Sequence, residues 1–221
     1  MGSVSNPNIA TVSALPSVNS VSDPATNSVS TGYPNVLNDA LVWLKQEGIT
    51  GTSSVTEWTN SGTGGADYDL DVVVGTGANL KPHPSGSCLL YGASGDYAST
   101  PDSAAASITG DIDIRVRVNL DDWTPSGNDA FLSKWRQSTA DRSWIFDVLA
   151  AGTLRPFISS DGTATTQMIS TVVTGFTDGT LHWVRVTLDA DNGSGDADCT
   201  FYVSDTDTDD PDSVVWTQLG S

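Results

Sequence analysis

The sequence predicts an all-β protein, an antiparallel β-sandwich, and three observations favour this fold class. Residues Asp111–Leu120 (DIDIRVRVNL) alternate polar and apolar side chains without a fault, which is the period of a strand with one buried face. Short apolar segments recur along the second half of the chain, separated by turns rich in Gly and Asp. The acidic residues are 25 Asp but only 2 Glu, and there are only 3 Lys, so two good helix formers are scarce.

The first 35 residues differ in composition from the rest of the chain. They are rich in Ser, Asn, Val, Thr and Pro and contain no Lys or Arg. Four prolines (Pro7, Pro16, Pro24 and Pro34) argue against any regular helix or central strand. We therefore expect residues 1–35 to form an extended arm that a neighbouring subunit holds in place, with a simple tether as the alternative.

The sandwich is expected to occupy residues 36–221 and to open with one ambiguous element. Val36–Ile49 fits a short helix that ends at Gly48, and an extended conformation of ALVWL fits nearly as well. The segments SSVTEW and YDLDVVVG follow as strand candidates, and KPHPSG (residues 81–86) is predicted to be a loop.

The remaining strand candidates are evenly spaced. A turn at Asp161–Thr163 predicts that TLRPFISS and TTQMIST form a hairpin. Regular short strands without alternating helices favour a sandwich or jelly roll over a parallel α/β sheet. The candidates are SCLLYG (87–92), the alternating segment, AFLSKWR (130–136), SWIFDVLA (143–150), TLRPFISS (153–160), TTQMIST (165–171), TLHWVRVTL (180–188), DCTFYVS (198–204) and SVVWTQL (213–219).

Charge and hydropathy exclude several partners. The formal net charge of −18 argues against nucleic acid, because binding to phosphates needs a basic surface. No apolar run approaches the length of a membrane helix, and MGSVSNPNIATVS lacks the basic and apolar parts of a classical secretion signal. Cys88 and Cys199 could pair or could both be reduced thiols, so they do not indicate the redox compartment.

Three stretches resemble a known family of domains. They are GASGDYASTPDSAAASITGDIDIRVRVNLDDW, SKWRQSTADRSWIFDVLAAGTLRPFISSDGT, and FTDGTLHWVRVTLDADNG with the later TFYVS and WTQLG. Together with WLKQEGITG and VTEWTNSGTGG they resemble laminin-G-like, concanavalin-A-type jelly rolls, over about residues 36–219. The closest versions are those of minor tail or other virion surface proteins of tailed bacteriophages, especially phages of actinobacteria.

The resemblance implies a fold and a setting more than a ligand. It implies a jelly roll on the surface of a phage particle, or otherwise an extracellular location. Such domains usually continue with more strands after the segment that matches WTQLG. Either residues 36–90 supply that coverage, or an edge strand is left to pair with another chain.

No group of residues indicates an enzyme. Concanavalin-A-type glycosidases place two carboxylates at alternate positions of one strand, and Asp111 and Asp113 have that spacing. Arg115 and Arg117 continue the same face, however, which favours a solvated ladder of charges. No serine or cysteine lies in a nucleophile motif. We expect no catalytic residue.

Calcium is a possible ligand without assigned residues, and no cofactor is otherwise expected. Laminin-G-like domains often bind calcium through Asp side chains on a loop rim. The loops DADNGSGDAD (189–198) and DTDTDDPD (205–212) are rich in Asp, but neither fits an EF-hand. Solvated acidic loops are the alternative, and no metal-binding residue is assigned.

Sugar recognition would use an exposed aromatic ring beside polar groups. Trp123, in the loop LDDWTPSGND, is the best candidate for an exposed ring. By parity Trp183 and Arg185 point away from the core, whereas Trp144 points inward and Trp135 shares a face with Phe131 and Ser133. Trp123, Trp183 and Arg185 are therefore the candidate ligand-binding residues, with core packing or contact with another subunit as alternatives.

These observations lead to one expected function and two alternatives. We expect a bacteriophage virion structural protein, present in many copies, whose sandwich binds a host cell-surface glycan and whose N-terminal arm contacts other virion proteins. The alternatives are a purely structural assembly or decoration protein without a ligand, and a secreted bacterial adhesion module. Whether the protein belongs to the capsid or to the tail is left open.

Overall fold

The computed structural model describes residues 4–14, 40–49, 57–73, 97–136 and 141–220, of which 4–14, 46–49, 72 and 73 are described by their backbone. Two short 3₁₀ helices, Gly65–Tyr68 and Ala104–Ala106, accompany the strands of this part of the chain. The strands are β1 (Val4–Ala14), β2 (Val42–Ile49), β3 (Glu57–Asn60), β4 (Leu70–Val73), β5 (Tyr97–Ser99), β6 (Ile112–Leu120), β7 (Asp129–Arg136), β8 (Asp141–Val148), β9 (Leu154–Ile158), β10 (Thr166–Gln167), β11 (Leu181–Asp189), β12 (Asp198–Ser204) and β13 (Thr217–Gln218).

The strands form two antiparallel sheets. The large sheet has the order β13-β12-β11-β6-β1-β2-β3-β4-β5, and the small sheet has the order β10-β9-β8-β7. The all-β sandwich class predicted from the sequence is confirmed. No helix within the described residues is long and apolar enough to cross a membrane.

The core lies between β6, β11 and β12 of the large sheet and β8 and β9 of the small sheet. The apolar stripe of β6 points into this core, as its alternation predicts. A single buried cluster with contributions from both sheets is what a sandwich requires. Its buried members are Ile112, Ile114, Val116, Val118, Leu120, Trp123, Trp144, Phe146, Val148, Leu154, Val184, Val186, Leu188, Phe201 and Leu219.

The opposite face of β6 is not solvated, so the predicted ladder of exposed charges is wrong. Asp113, Arg115 and Arg117 are only 3%, 7% and 6% exposed. The alternation of the sequence separates two faces correctly, but it does not reveal that a later segment covers the polar one.

The prediction that Pro7 keeps the first residues out of a central strand is also wrong. β1 lies between β6 and β2 in the large sheet and is antiparallel to both. The register of β1 against β6 shifts between Ser5 and Pro7 and again between Pro7 and Ile9. A bulge tolerates the missing N–H of proline, because the bulged residue need not donate to the ladder. Residues 1–3 and 15–35 of the predicted arm lie outside the described residues.

Residues 42–49 adopt the extended alternative, and the helix predicted for Val36–Ile49 is wrong. β2 pairs with β1 on one side and with β3 on the other. The side chain of Asn60 on β3 reinforces this pairing, because its Oδ1 accepts a hydrogen bond from the Trp43 backbone N–H at 2.7 Å. Pairing on both sides outweighs a weak helical preference.

The hairpin predicted around Asp161–Thr163 is confirmed by the pairing of β9 with β10. The Asp161 carboxylate accepts hydrogen bonds from the backbone N–H groups of Thr163 (2.8 Å) and Ala164 (2.7 Å). These bonds lower the pKa of Asp161, with the bond from Thr163 contributing most. Gly162 has a φ of 80°, a conformation that favours glycine.

Of the two cysteines, Cys199 is half-buried on β12, and burial raises the pKa of its thiol to about 12. Cys88 and the predicted strand SCLLYG lie outside the described residues, as does the loop 81–86.

Candidate functional site

Trp123 is buried rather than exposed, which corrects its assignment as the best exposed ring. Only 2% of its surface is accessible, and it belongs to the main core. Its ring packs 4.8 Å from the ring of Phe176 and 6.2 Å from that of Phe131. The Asp178 carboxylate accepts a hydrogen bond from the Trp123 backbone N–H at 2.8 Å and so holds the loop inward. A ring in this position has no face to offer a sugar.

Trp183 lies on the predicted face of β11, but it is 0% exposed, so the prediction of its exposure is wrong. It forms a second apolar cluster, on the outer side of the large sheet, with Val214, Trp43 and Trp216. Its indole N–H donates to the carbonyl oxygen of Thr208 at 3.0 Å. Trp183 therefore packs against the chain that follows β12.

Arg185 is held in a buried ion cluster on the same face. Its Nε and Nη2 donate to the two oxygens of Asp113 at 2.9 and 2.8 Å. Arg115 donates to the same carboxylate through Nη2 at 3.0 Å. The Arg185 guanidinium also lies 5.0 Å from the ring centroid of Tyr202. One buried carboxylate thus binds two guanidinium groups, and Arg185 is committed to this contact.

Residues 205–216, which we call the covering segment, close this face. Arg117 Nη2 donates to Asp207 Oδ1 at 2.5 Å, and Nη1 binds Asp209. Arg115 Nη1 donates to the carbonyl oxygen of Pro211 at 3.2 Å. The acidic run DTDTDDPD therefore neutralises arginines of the large sheet.

The other acidic loop, 189–198, is held by short-range turns. Asp189 Oδ1 accepts from the backbone N–H of Asp191 at 3.2 Å, and Asp191 Oδ1 accepts from that of Gly193 at 3.0 Å. Among the residues that the structure describes, no three His, Cys, Asp or Glu side chains lie close enough together to hold a metal ion. The structure therefore gives the possible calcium ion no ligand set within this part of the chain.

A hydroxyl, an imidazole and a carboxylate lie in a row at the start of β11. His182 Nε2 is 2.5 Å from Thr180 Oγ1, and His182 Nδ1 is 2.6 Å from Asp205 Oδ1. This order is that of the nucleophile relay of acyl-transfer enzymes. The Thr180 hydroxyl donates to the carbonyl oxygen of Thr177 at 2.5 Å, however, so it has no second proton to donate to Nε2, as a nucleophile would have to. The contact between His182 and Asp205 holds the first residue of the covering segment against β11. The absence of enzymatic activity stays a prediction.

The outer face of the small sheet carries a different arrangement, which we call the arginine–aromatic ladder (Arg142, Trp135, Phe157 and Arg155). The rings of Trp135 and Phe157 are stacked with centroids 5.0 Å apart and planes 23° apart. The Arg142 guanidinium carbon lies 5.7 Å from the Trp135 ring centroid, and that of Arg155 lies 5.1 Å from the Phe157 ring centroid. The distances are those of cation–π contacts.

Hydrogen bonds orient the polar groups beside the ladder. The Asp147 carboxylate accepts from Arg155 Nε at 3.0 Å and from Nη2 at 2.5 Å. Arg155 Nη1 donates to Gln167 Oε1 at 3.0 Å, which leaves the Gln167 amide nitrogen as a donor at the exposed end. Arg142 Nη1 donates to the carbonyl oxygen of Thr163 at 2.9 Å. Donors and acceptors are thus fixed around two aromatic rings.

The outer face of the small sheet is partly accessible at the arginine–aromatic ladder, whereas the outer face of the large sheet is covered at Trp183. Trp135 and Phe157 are half-buried, and so is Ile145, the register partner of Phe157 on β8. By contrast, the covering segment buries Trp183 on the outer face of the large sheet. The described residues therefore combine partly accessible rings and ordered polar groups on the small sheet.

Sequence reasoning missed most of this site. Leu154 is a core residue, so strand alternation from it would have placed Arg155 and Phe157 on the outer face. The predicted shared face of Trp135 and Phe131 is wrong, because the register of β7 against β8 shifts between Ala130 and Leu132. Phe131 then packs against Phe146 in the core, with ring centroids 5.3 Å apart, whereas Trp135 stacks on the outer face.

Comparison of the chain with protein-family models, with curated proteins and with solved structures found no match. The laminin-G-like resemblance of the sequence therefore stays a prediction, and arguments about function depend on the sites described above.

Proposed function

We propose that this protein is a structural protein of a bacteriophage virion surface and that the outer face of its small sheet binds a host cell-surface glycan. The virion setting depends on the resemblance of the sequence to domains of tailed phages. The glycan-binding role depends on the arginine–aromatic ladder. The proposed binding residues are therefore Trp135 and Phe157 and no longer Trp123, Trp183 and Arg185.

The chemistry of the ladder fits a sugar ring. A pyranose has an apolar face of C–H groups and a rim of hydroxyls, so it binds where an aromatic surface adjoins hydrogen-bonding groups. Trp135 and Phe157 supply the aromatic surface and the exposed Gln167 supplies a donor beside it, while the buried Asp147 carboxylate orients Arg155. Because Arg155 holds both polar groups, little side-chain freedom remains to be lost on binding.

One observation carries the proposal: the stacked, half-buried pair of Trp135 and Phe157 on a sheet face that the covering segment does not occupy. A nearly flat sheet face encloses only part of a ligand, so we expect weak binding at each site. Many copies on one particle would raise the effective affinity by orders of magnitude, about 10²–10⁴-fold for linked sites.

Replacing Trp135 by Ala is expected to reduce glycan binding about 5- to 10-fold, since an aromatic contact of this type contributes about 1–1.5 kcal/mol and 1.4 kcal/mol is tenfold in affinity. The measurement is binding of multivalent wild-type and variant protein to an array of bacterial cell-surface glycans and to purified host cell walls. Phe157→Ala should behave in the same way. Tyr97→Ala is the matched control, because Tyr97 is an exposed aromatic residue on β5 of the other sheet.

Circular dichroism should show that these variants stay folded, because the rings lie outside the main core. The proposal fails if multivalent wild-type protein binds neither the array nor the cell walls, or if Trp135→Ala and Phe157→Ala both bind as well as Tyr97→Ala.

A purely structural role is the second candidate, and one observation favours it. Ile169, Val172 and Val173 are exposed apolar side chains within residues 162–177, a stretch without any charge. Exposed apolar residues of this kind are typical of contacts between proteins. This candidate would be supported over the first if the protein binds no glycan and if substitution of these three residues prevents its incorporation into virions.

A further inference from the structure

We propose that β1 is an exchangeable strand and that the slot between β6 and β2 accepts the β1 of a second copy of this chain. The proposal concerns assembly and is independent of the glycan site. It gives the N-terminal residues a defined partner, namely the backbone of β6 in a neighbouring subunit.

Strands other than β1 are present in both layers of the sandwich. On one side of that strand, β13-β12-β11-β6 forms a four-stranded half that faces the four strands β10-β9-β8-β7. Among the side chains that the structure describes, which do not include those of β1, the buried members of the core come from residues 112–219, and Val42 of β2 is partly buried against them. Residues 97–220 thus contain both layers of the sandwich, and β1 extends the large sheet at the edge of β6.

The contact between β1 and β6 is a backbone ladder. The antiparallel register runs from Val4 opposite Leu120 to Ala14 opposite Ile112. The hydrogen bonds of such a ladder are the same whether the added strand belongs to the same chain or to another, which is the basis of strand addition and of domain swapping. A vacant β6 edge would expose a row of N–H and C=O groups and therefore requires a partner strand.

The chain is long enough to reach a neighbour. Residues 15–39 separate β1 from Ala40, the next described residue. At about 3.3 Å for each residue, these 25 residues span at most about 80 Å. A domain of 221 residues has a radius of gyration of about 17 Å, so this length exceeds its diameter.

Charge favours contact through this strand. Each copy has a formal net charge of −18, so two copies repel each other. The segment that contains β1 is neutral, because the first charged side chain of the sequence is that of Asp23. The strand Val4–Ala14 itself therefore brings no charge to the second copy. A neutral strand that adds to the sheet avoids the repulsion that most other surfaces of this chain would meet.

Disulfide trapping distinguishes the two sources of β1, because Ser5 and Asn119 are register partners. Chains that carry only Ser5→Cys are mixed with chains that carry only Asn119→Cys, unfolded and refolded together at high concentration, and oxidised. If β1 is exchanged, a disulfide between positions 5 and 119 joins two different chains, as identified by peptide mass spectrometry. Each variant alone is the control, since neither can form this bond.

The double variant Ser5→Cys/Asn119→Cys gives the complementary result. Exchange predicts covalent dimers or longer chains, whereas a β1 that stays in its own sheet gives only a covalently closed monomer. The proposal is overturned if the double variant closes only within one chain and the mixed single variants form no bond. The mass of the unmodified full chain, measured by light scattering from micromolar to millimolar concentration, provides a readout without any substitution. A monomer throughout would contradict exchange.

Discussion

Replacing Asp113 by Ala is expected to lower the free energy of unfolding by about 3–5 kcal/mol. Removal of one partner from a buried ion cluster leaves its other charges buried without compensation. The Asp113 carboxylate is 3% exposed and binds both Arg115 and Arg185 at distances of 2.8–3.3 Å. After its loss Arg115 keeps the Pro211 carbonyl oxygen at 3.2 Å and the Asp212 carboxylate at 3.5 Å, which only partly compensate two guanidinium groups on a face to which water has little access.

Urea unfolding of the wild type and of the variant measures this difference. Asp207→Ala is the matched control, since it also removes a carboxylate that binds an arginine, but the Asp207 side chain is 98% exposed. We expect that control to leave the unfolding midpoint almost unchanged, because exposed ion pairs contribute little. Equal and small effects of the two substitutions would contradict burial of the Asp113 cluster.

Replacing Trp183 by Ala is also expected to lower the free energy of unfolding by about 3–5 kcal/mol, the range for a large aromatic residue removed from a packed site. The substitution empties a site closed by Val214, Trp43 and Trp216 and leaves the Thr208 carbonyl without its indole donor. The covering segment would then be held mainly by its ion pairs.

The same urea measurement tests this result, with Trp135→Ala as the control. Trp135 is half-buried on the outer face of the small sheet, so its removal should cost clearly less stability. If Trp183→Ala proves as mild as Trp135→Ala, Trp183 is not enclosed by the covering segment.

The sequence predicted the core side of the sandwich well, for a simple physical reason. Strand alternation is a local property, so the inward stripe Ile112, Ile114 and Val116 and the hairpin at Asp161–Thr163 could be identified without knowledge of the rest of the chain. The same rule placed Trp183 on the correct face of β11. The class of fold therefore followed from local patterns.

The sequence did not reveal which outer face is covered. Burial of Arg117 and Trp183 depends on residues 205–216, which follow β12, six strands after β6 along the chain. An acidic run of this kind is equally compatible with a solvated loop, a calcium site or a partner for buried arginines. Only the fold brings it onto the arginines of β6.

The sequence did not predict the arginine–aromatic ladder, because a β-bulge reverses which face of the sheet the following side chains point to. The register shift of β7 between Ala130 and Leu132 places Phe131 in the core, whereas Trp135 points outward, although both positions have the same parity. A bulge at Pro7 likewise admits β1 into the middle of the large sheet. Bulges depend on the partner strand as much as on the sequence of the bulged strand.

The proposed binding site requires that the outer face of the small sheet is open and that the outer face of the large sheet is closed. Hydroxyl-radical footprinting with mass spectrometry measures this directly, since it reports the solvent access of each tryptophan in the unmodified protein. We expect Trp135 to be oxidised readily, and Trp123 and Trp183 to stay protected until the protein unfolds. Oxidation of Trp183 or Trp123 at the rate of Trp135, or protection of Trp135, would contradict the assignment of the two faces.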